Sequence, residues 1–305
     1  MKVTKIYGLM MLIAGLFVFT ACDKDELDPN SVIVDSSTVK NDFDKWLDKN
    51  YVEPYNVDFK YRIDNRETSV SYSLTPVEYE KAIAFAKILL HTWIGTFDEI
   101  KGKEFTQTYI PKNIQVIGSK QGNTVGEAEG GVKITFFELN DRITLPSPTV
   151  ASLVGRTDTT STGTEQSAAL KTAFHEFSHI LHQTKPYTTD FPNISDSDYA
   201  GGDWNTYYST PSAAWAKGFI SQYGSSAPNE DFVEIIALYV VRGGQPYFDS
   251  IVKKAGDVGG PILTQKLDIV RTYLKNSWAI DLDEMQSVFQ RRVNEVIAMD
   301  LTSLD

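Results

Sequence analysis

His175-Glu176-Phe177-Ser178-His179 lies in a run that is apolar on both sides, with Ala173 and Phe174 before it and Ile180 and Leu181 after it. Four residues is about one helical turn, so a helix over roughly 165–183 sends both imidazoles from one face. Two ring nitrogens so placed can bind one tetrahedral cation at about 2.0–2.1 Å. Glu176, beside the first ring, can reach a water in that site without ligating, as a general base must. The apolar flanks predict a buried helix, and burial strengthens a cation's pull on nearby charge. The alternative is a core helix with satisfied histidines. Against it, three of the chain's four histidines, His175, His179 and His182, fall within eight residues.

A catalytic zinc needs a third protein ligand and an open fourth position. Glu230 and Glu234 stand one turn apart on a second predicted helix, from about 229 to 242, which Gly243-Gly244 stops. Phe232, Val233, Ile235, Ile236, Ala237 and Leu238 surround them, so this helix too should be buried. Two carboxylates on a buried helix are costly unless something pairs with them. A cation between the two helices removes that cost. The expected division puts Glu230 on the metal and Glu234 behind a ligating histidine. The alternative is a solvated pair of helix carboxylates. His182 is a poorer ligand candidate, because residues seven apart are separated by about 10 Å along a straight helix. His91, among Leu89, Leu90 and Trp93, reads as a packing histidine.

His-Glu-x-x-His followed by Asn-Glu-x-x-x-Glu resembles the gluzincin clan of zinc peptidases. The resemblance implies a zincin-like fold, zinc on His175, His179 and Glu230, and Glu176 as base. The clan often uses a tyrosine or histidine at the oxyanion, which implicates Tyr223, seven residues before Glu230. Within the clan the chain is most similar to zinc-binding metallopeptidase lipoproteins of the Bacteroidota, encoded beside outer-membrane nutrient-import systems. That similarity spans most of the chain after Cys22 and implies a peptide or protein substrate and an import complex as partner. Two other readings stay open: a non-enzymatic surface binding lipoprotein, and a zinc hydrolase of a non-peptide bond.

The N-terminus reads as a separate device. Lys2 and Lys5 precede an apolar run from Ile6 to Ala21, too short for a spanning helix and suited to a signal peptide over 1–21. It ends at Cys22, the chain's only cysteine. The arrangement resembles a bacterial lipoprotein signal, which implies lipidation of Cys22 and attachment to the outer membrane. The acidic residues Asp23, Asp25, Glu26 and Asp28 resemble a signal for export to the cell surface. Residues 22–37 are polar and aperiodic, as a tether is. A net charge of −11 argues against a nucleic-acid partner.

The remainder, 38–305, reads as one α+β domain with a small mixed sheet and a helical end over 262–305. Phe43, Trp46 and Leu47 mark a short amphipathic helix. Thr75-Pro76-Val77-Glu78 has capping-box spacing for a helix running to about Trp93. Strands are expected at 114–117 and 132–136, the second as an edge able to pair with a substrate backbone. The long loop from 184 to 223 carries Tyr187, Trp204, Tyr207 and Tyr208 as candidate cleft residues. Two closing helices are expected near 262–278 and 283–299.

Overall fold

Apolar periodicity builds most of the helices. In the computed structural model, which describes residues 39–63, 73–122, 126–129, 131–146, 148, 153 and 169–304, α1 (Asp42–Leu47) buries Phe43 and Leu47. Asn41 and Asp44 cap it reciprocally, side chain to backbone. Strand β1 (Asp58–Lys60) follows, then α2 (Tyr79–Leu89), which runs through a π-helical stretch, Leu90–Ile94, into α3 (Gly95–Lys101). Helix α4 (Lys103–Tyr109) leads to β2 (Asn113–Val116), β3 (Gly126–Glu129) and β4 (Lys133–Phe136). The second half is helical: α5 (Ala169–Thr184), α6 (Pro228–Arg242), α7 (Gln245–Trp278) and α8 (Leu282–Val296). The signal segment, Cys22 and the tether lie outside the described residues.

The sheet has the order β1-β2-β4-β3, with β1, β2 and β4 parallel and β3 antiparallel at one edge. Ile114 pairs in register with Ile134, and Val116 with Phe136. The described side chains of these two strands past their first residues are buried on both faces, as parallel strands usually are. β4 is therefore interior, and the expectation that it forms a free edge is corrected: β3 occupies that position. The sequence hides β3 because Gly126-Glu127-Ala128-Glu129 holds no β-branched or aromatic residue. Gly126 is required where β3 meets α5, since a β-carbon there would sit 2.2 Å from Thr172 Cγ2.

The capping box expected at Thr75–Glu78 does not form. Thr75 N–H donates to Ser119 Oγ and Glu78 N–H to Asn140 Oδ1, each at 2.8 Å, so tertiary partners take the two N–H groups that the box would pair. Helix α2 starts at Tyr79 instead. Helix α7 is two helical stretches that meet at Gly256, whose φ of 71° is not helical; the second holds the helix expected near 262–278, with Pro261 in its first turns, and the first, from Gln245, is one that the sequence reading does not place. Helix α6 runs through the core: every residue from Asp231 to Arg242 is buried. It packs on α5, α7 and α8, the last of which buries Leu282, Met285, Phe289, Val293 and Val296. Asn41–Asp305 forms one compact unit. Among the described residues no helix is long and apolar enough to cross a membrane.

Candidate metal centre

Helices α5 and α6 meet face to face, and the buried sides of both carry ionisable groups. His175, Glu176 and His179 each offer a ligand atom within 4.8 Å of the others. Glu230, from the first turn of α6, comes nearer. Its Oε2 lies 3.1 Å from His175 Nε2 and 3.3 Å from His179 Nε2, and the two ring nitrogens are 3.2 Å apart. The three atoms form a nearly equilateral triangle. A tetrahedral ion with bonds of about 2.0–2.1 Å spaces its ligands about 3.3 Å apart, so these donors fit zinc in both chemistry and spacing.

Behind the triangle lies a second tier. Glu234 Oε1 is 2.7 Å from His175 Nδ1, and its Oε2 accepts from Ser221 Oγ at 2.6 Å. The Lys171 ammonium also pairs with Glu234. His182 Nε2 sits 3.0 Å from His179 Nδ1, turned away from the triangle. Ser221 Oγ also accepts from Gly224 N–H at 3.0 Å, which ties the turn carrying Tyr223 to the same carboxylate. Lys171 and Ser221 escaped the sequence reading because single polar residues carry no periodic or motif signal.

Charge follows this geometry. Burial opposes the His175 imidazolium, but hydrogen bonds to Glu230 and Glu234 outweigh it and raise the ring to about 9. Burial likewise opposes the Glu234 carboxylate, yet Lys171 and His175 bring it down to about 2. Glu230 is lowered too, its burial overcome by the two histidines. Glu176 is raised, chiefly by burial, with the histidines pulling the other way. The Tyr223 phenol is raised by burial and then by Glu230, which keeps it a hydrogen-bond donor.

A metal taken up between these donors would have to displace the His175 proton. At pH 7 zinc uptake should therefore release at least one proton per ion, and the share that comes from His175 should fall as pH rises through about 9. Calorimetry in buffers of differing ionisation heat measures this, and zero release at pH 7 would contradict it. Stability of the metal-free chain falls over the same range. The folded value lies above the ordinary histidine value, so the contribution is full below about pH 6.5 and lost as pH rises through about 9.

A cavity of about 430 Å³ opens over the centre. Its walls are Gly126, Glu127 and Gly131 beside β3, Ile180 and Gln183 along α5, and Tyr223, Asn229 and Glu230 opposite, with His175, Glu176 and His179 as floor. Tyr223 is 38% exposed and its ring stands 5.9 Å from that of His175. The four loop aromatics expected in the cleft are not among these walls. Tyr208 is buried against Phe219, and Tyr207 stacks edge-on to it, facing solvent. Trp204 packs against Tyr223, and Tyr187 stacks on Phe232 while its hydroxyl donates to Asn229 Oδ1 at 2.5 Å. Trp204 and Tyr187 thus support wall residues rather than face the cavity. His91 lies elsewhere, with Nε2 2.8 Å from Glu295 on α8.

A family model described as "putative zinc-binding metallo-peptidase" matches residues 36–283. Among solved structures the chain is similar to "a putative zinc-binding metallo-peptidase from Bacteroides caccae ATCC 43185". The two share 35% identity with a TM-score of 0.72, over 87% of this chain and 96% of that one. No curated protein matches. With four-fifths of its length under the family model and a donor triangle sized for the metal, the chain belongs to this family of zinc-binding metallo-peptidases.

Proposed function

We propose that this chain hydrolyses peptide bonds, with His175, His179 and Glu230 as zinc ligands in a gluzincin-type, zincin-like site. The observation that carries the reading is the triangle of 3.1, 3.2 and 3.3 Å between two imidazole nitrogens and one carboxylate oxygen, open to a cavity on one side. Zinc, when bound, supplies Lewis acidity, lowering the pKa of a water toward about 7 and polarising a carbonyl.

The chain's own residues do the rest. Glu176 lines the cavity and is held partly protonation-prone by burial, which suits it to take a proton from attacking water and pass it to the leaving amine. Tyr223 stands at the cavity wall as a neutral donor for the oxyanion. Glu234 holds the His175 ring through Nδ1, leaving Nε2 for the metal. Backbone of β3 lines the cavity beside α5 and offers a substrate an edge to extend. Lipidation at Cys22 would hold this catalytic unit at the outer membrane, facing the cell's surroundings and near an import complex. Radiolabelled lipid should enter the wild type and not Cys22→Ala.

Cleavage of a peptide library, stopped by a chelator and restored by zinc, tests the activity. Zinc binding without cleavage would favour a surface binding protein, and turnover of esters or glycans alone would favour a non-peptide hydrolase. Glu230→Ala tests the ligand set. It should weaken zinc binding by more than the roughly 10- to 100-fold typical of an outer hydrogen-bond partner. Unchanged metal content in a folded variant would remove Glu230 from the site.

A further inference from the structure

The two histidines of the triangle are held by different partners. His175 Nδ1 meets the Glu234 carboxylate at 2.7 Å, and His179 Nδ1 meets His182 Nε2 at 3.0 Å. His179 and His182 are three residues apart on α5, with ring centroids 5.2 Å apart. The His182 side chain is 7% exposed and enclosed by the rings of Tyr187, at 5.5 Å, and Phe232, at 6.5 Å. That aromatic sleeve fixes where His182 Nε2 points.

A neutral imidazole has one N–H, on either nitrogen. Only the ring with its hydrogen on Nδ1 leaves Nε2 free to donate its lone pair to a metal. His179 Nε2 faces the triangle, 3.2 Å from His175 Nε2 and 3.3 Å from Glu230 Oε2. Its Nδ1 must then find an acceptor, and the structure gives it His182 Nε2. The other nitrogen of His182 can carry that ring's hydrogen.

We propose that His182 is a positioning residue that accepts the Nδ1 hydrogen of His179 and so fixes the tautomer and ring plane of that zinc ligand. The idea rests on the ligand set proposed above. It also accounts for a third histidine that cannot join the first two on one ion. The site thereby has two unlike supports. A carboxylate makes His175 the more basic donor, and a neutral ring holds His179 without adding a further negative charge to a cluster that already contains Glu176, Glu230 and Glu234.

His182→Leu removes the acceptor, and His182→Gln restores one at similar reach. Zinc affinity, read by competition with a chromophoric chelator, should fall about 10- to 100-fold in the leucine variant and recover largely in the glutamine variant. Long-range ¹H–¹⁵N spectra of the zinc-loaded wild type should show His179 with its hydrogen on Nδ1. X-ray absorption should count two imidazoles in wild type and glutamine variant alike. Wild-type affinity in the leucine variant would overturn the proposal. So would a third imidazole in the wild type that disappears with His182, because His182 would then be a ligand. A wild type that takes up no zinc would instead defeat the underlying metal site, a result distinct from either.

Discussion

Glu176→Gln is expected to cut peptide hydrolysis by roughly 10²- to 10⁴-fold, the range for losing a general base, while zinc content stays at the wild-type level. Glutamine keeps the shape of the side chain and cannot take up a proton. The two outcomes separate because Glu176 and Glu230 stand in different relations to the imidazoles. Glu230 Oε2 completes the triangle at 3.1 and 3.3 Å, whereas Glu176 lies on the cavity floor within 4.8 Å of both rings. Burial raises Glu176, so its carboxylate binds a proton more readily than a solvated one. Steady-state kinetics on a quenched peptide, with metal analysis of the same sample, provides the measurement. Full activity would remove Glu176 as the base. Loss of zinc would make it a ligand instead.

The second large effect is one of stability. Asp231 follows the proposed ligand Glu230 and is fully buried, paired at 2.6 Å with the equally buried Lys266 of α7. Tyr199 donates to the same carboxylate at 2.9 Å, and Lys266 donates to the Gly218 carbonyl at 2.8 Å. The ammonium also sits 4.2 Å from the centre of the Phe219 ring. Burial works against both charges, pushing the Asp231 carboxyl up and the Lys266 ammonium down. Lys266→Met would therefore leave a buried carboxylate without its cation, at a cost of about 3–5 kcal/mol. That corresponds to a melting temperature lower by roughly 6–20 °C. Adding Asp231→Asn should recover much of the loss, because the uncompensated charge goes with it. Thermal unfolding of the metal-free single and double variants would show this. A single variant as stable as the wild type would mean that the pair contributes nothing.

The same pair helps to hold the long polar loop that ends at Tyr223 in the cavity wall. The stretch from 184 to 223 holds only short helical turns, among them Asp190–Asn193, Trp204–Tyr207 and Pro211–Trp215, and three anchors tie it to the longer helices. Tyr199 and Gly218 reach the Asp231–Lys266 pair, and Ser221 reaches Glu234. Each anchor ends on α6, which also carries Glu230, or on α7. Damage to the buried pair should thus reach the cavity as well as the melting temperature.

Local chemistry along the chain was enough for part of this. Spacing of four between His175 and His179, and between Glu230 and Glu234, set their side chains on one face of each helix, and apolar neighbours announced that both faces would be buried. Helices obey short-range rules, so α5, α6 and α8 could be read to within a few residues. Strand β3 could not, because Gly-Glu-Ala-Glu pairs with β4 through backbone groups that carry no sequence signal. Nor could the failed capping box at Thr75, whose N–H went to Ser119 while that of Glu78 went to Asn140. The aromatic loop was misassigned for a related reason: a tyrosine looks alike in sequence whether it faces a cavity or stacks on Phe232 behind it.

What residue order alone established was an inventory: which groups could ligate, which could accept a proton, and which helix faces must be hidden. Packing settled the distances. Fifty-one residues separate His179 from Glu230, and nothing local brings them to 3.3 Å. Burial of two apolar helix faces against each other does, because each can leave water only by covering its polar groups with the other's. Partner choice was settled in the same way, with Glu234 behind His175 and His182 behind His179, since a hydrogen bond depends on where two side chains end and not on how far apart they lie in the chain.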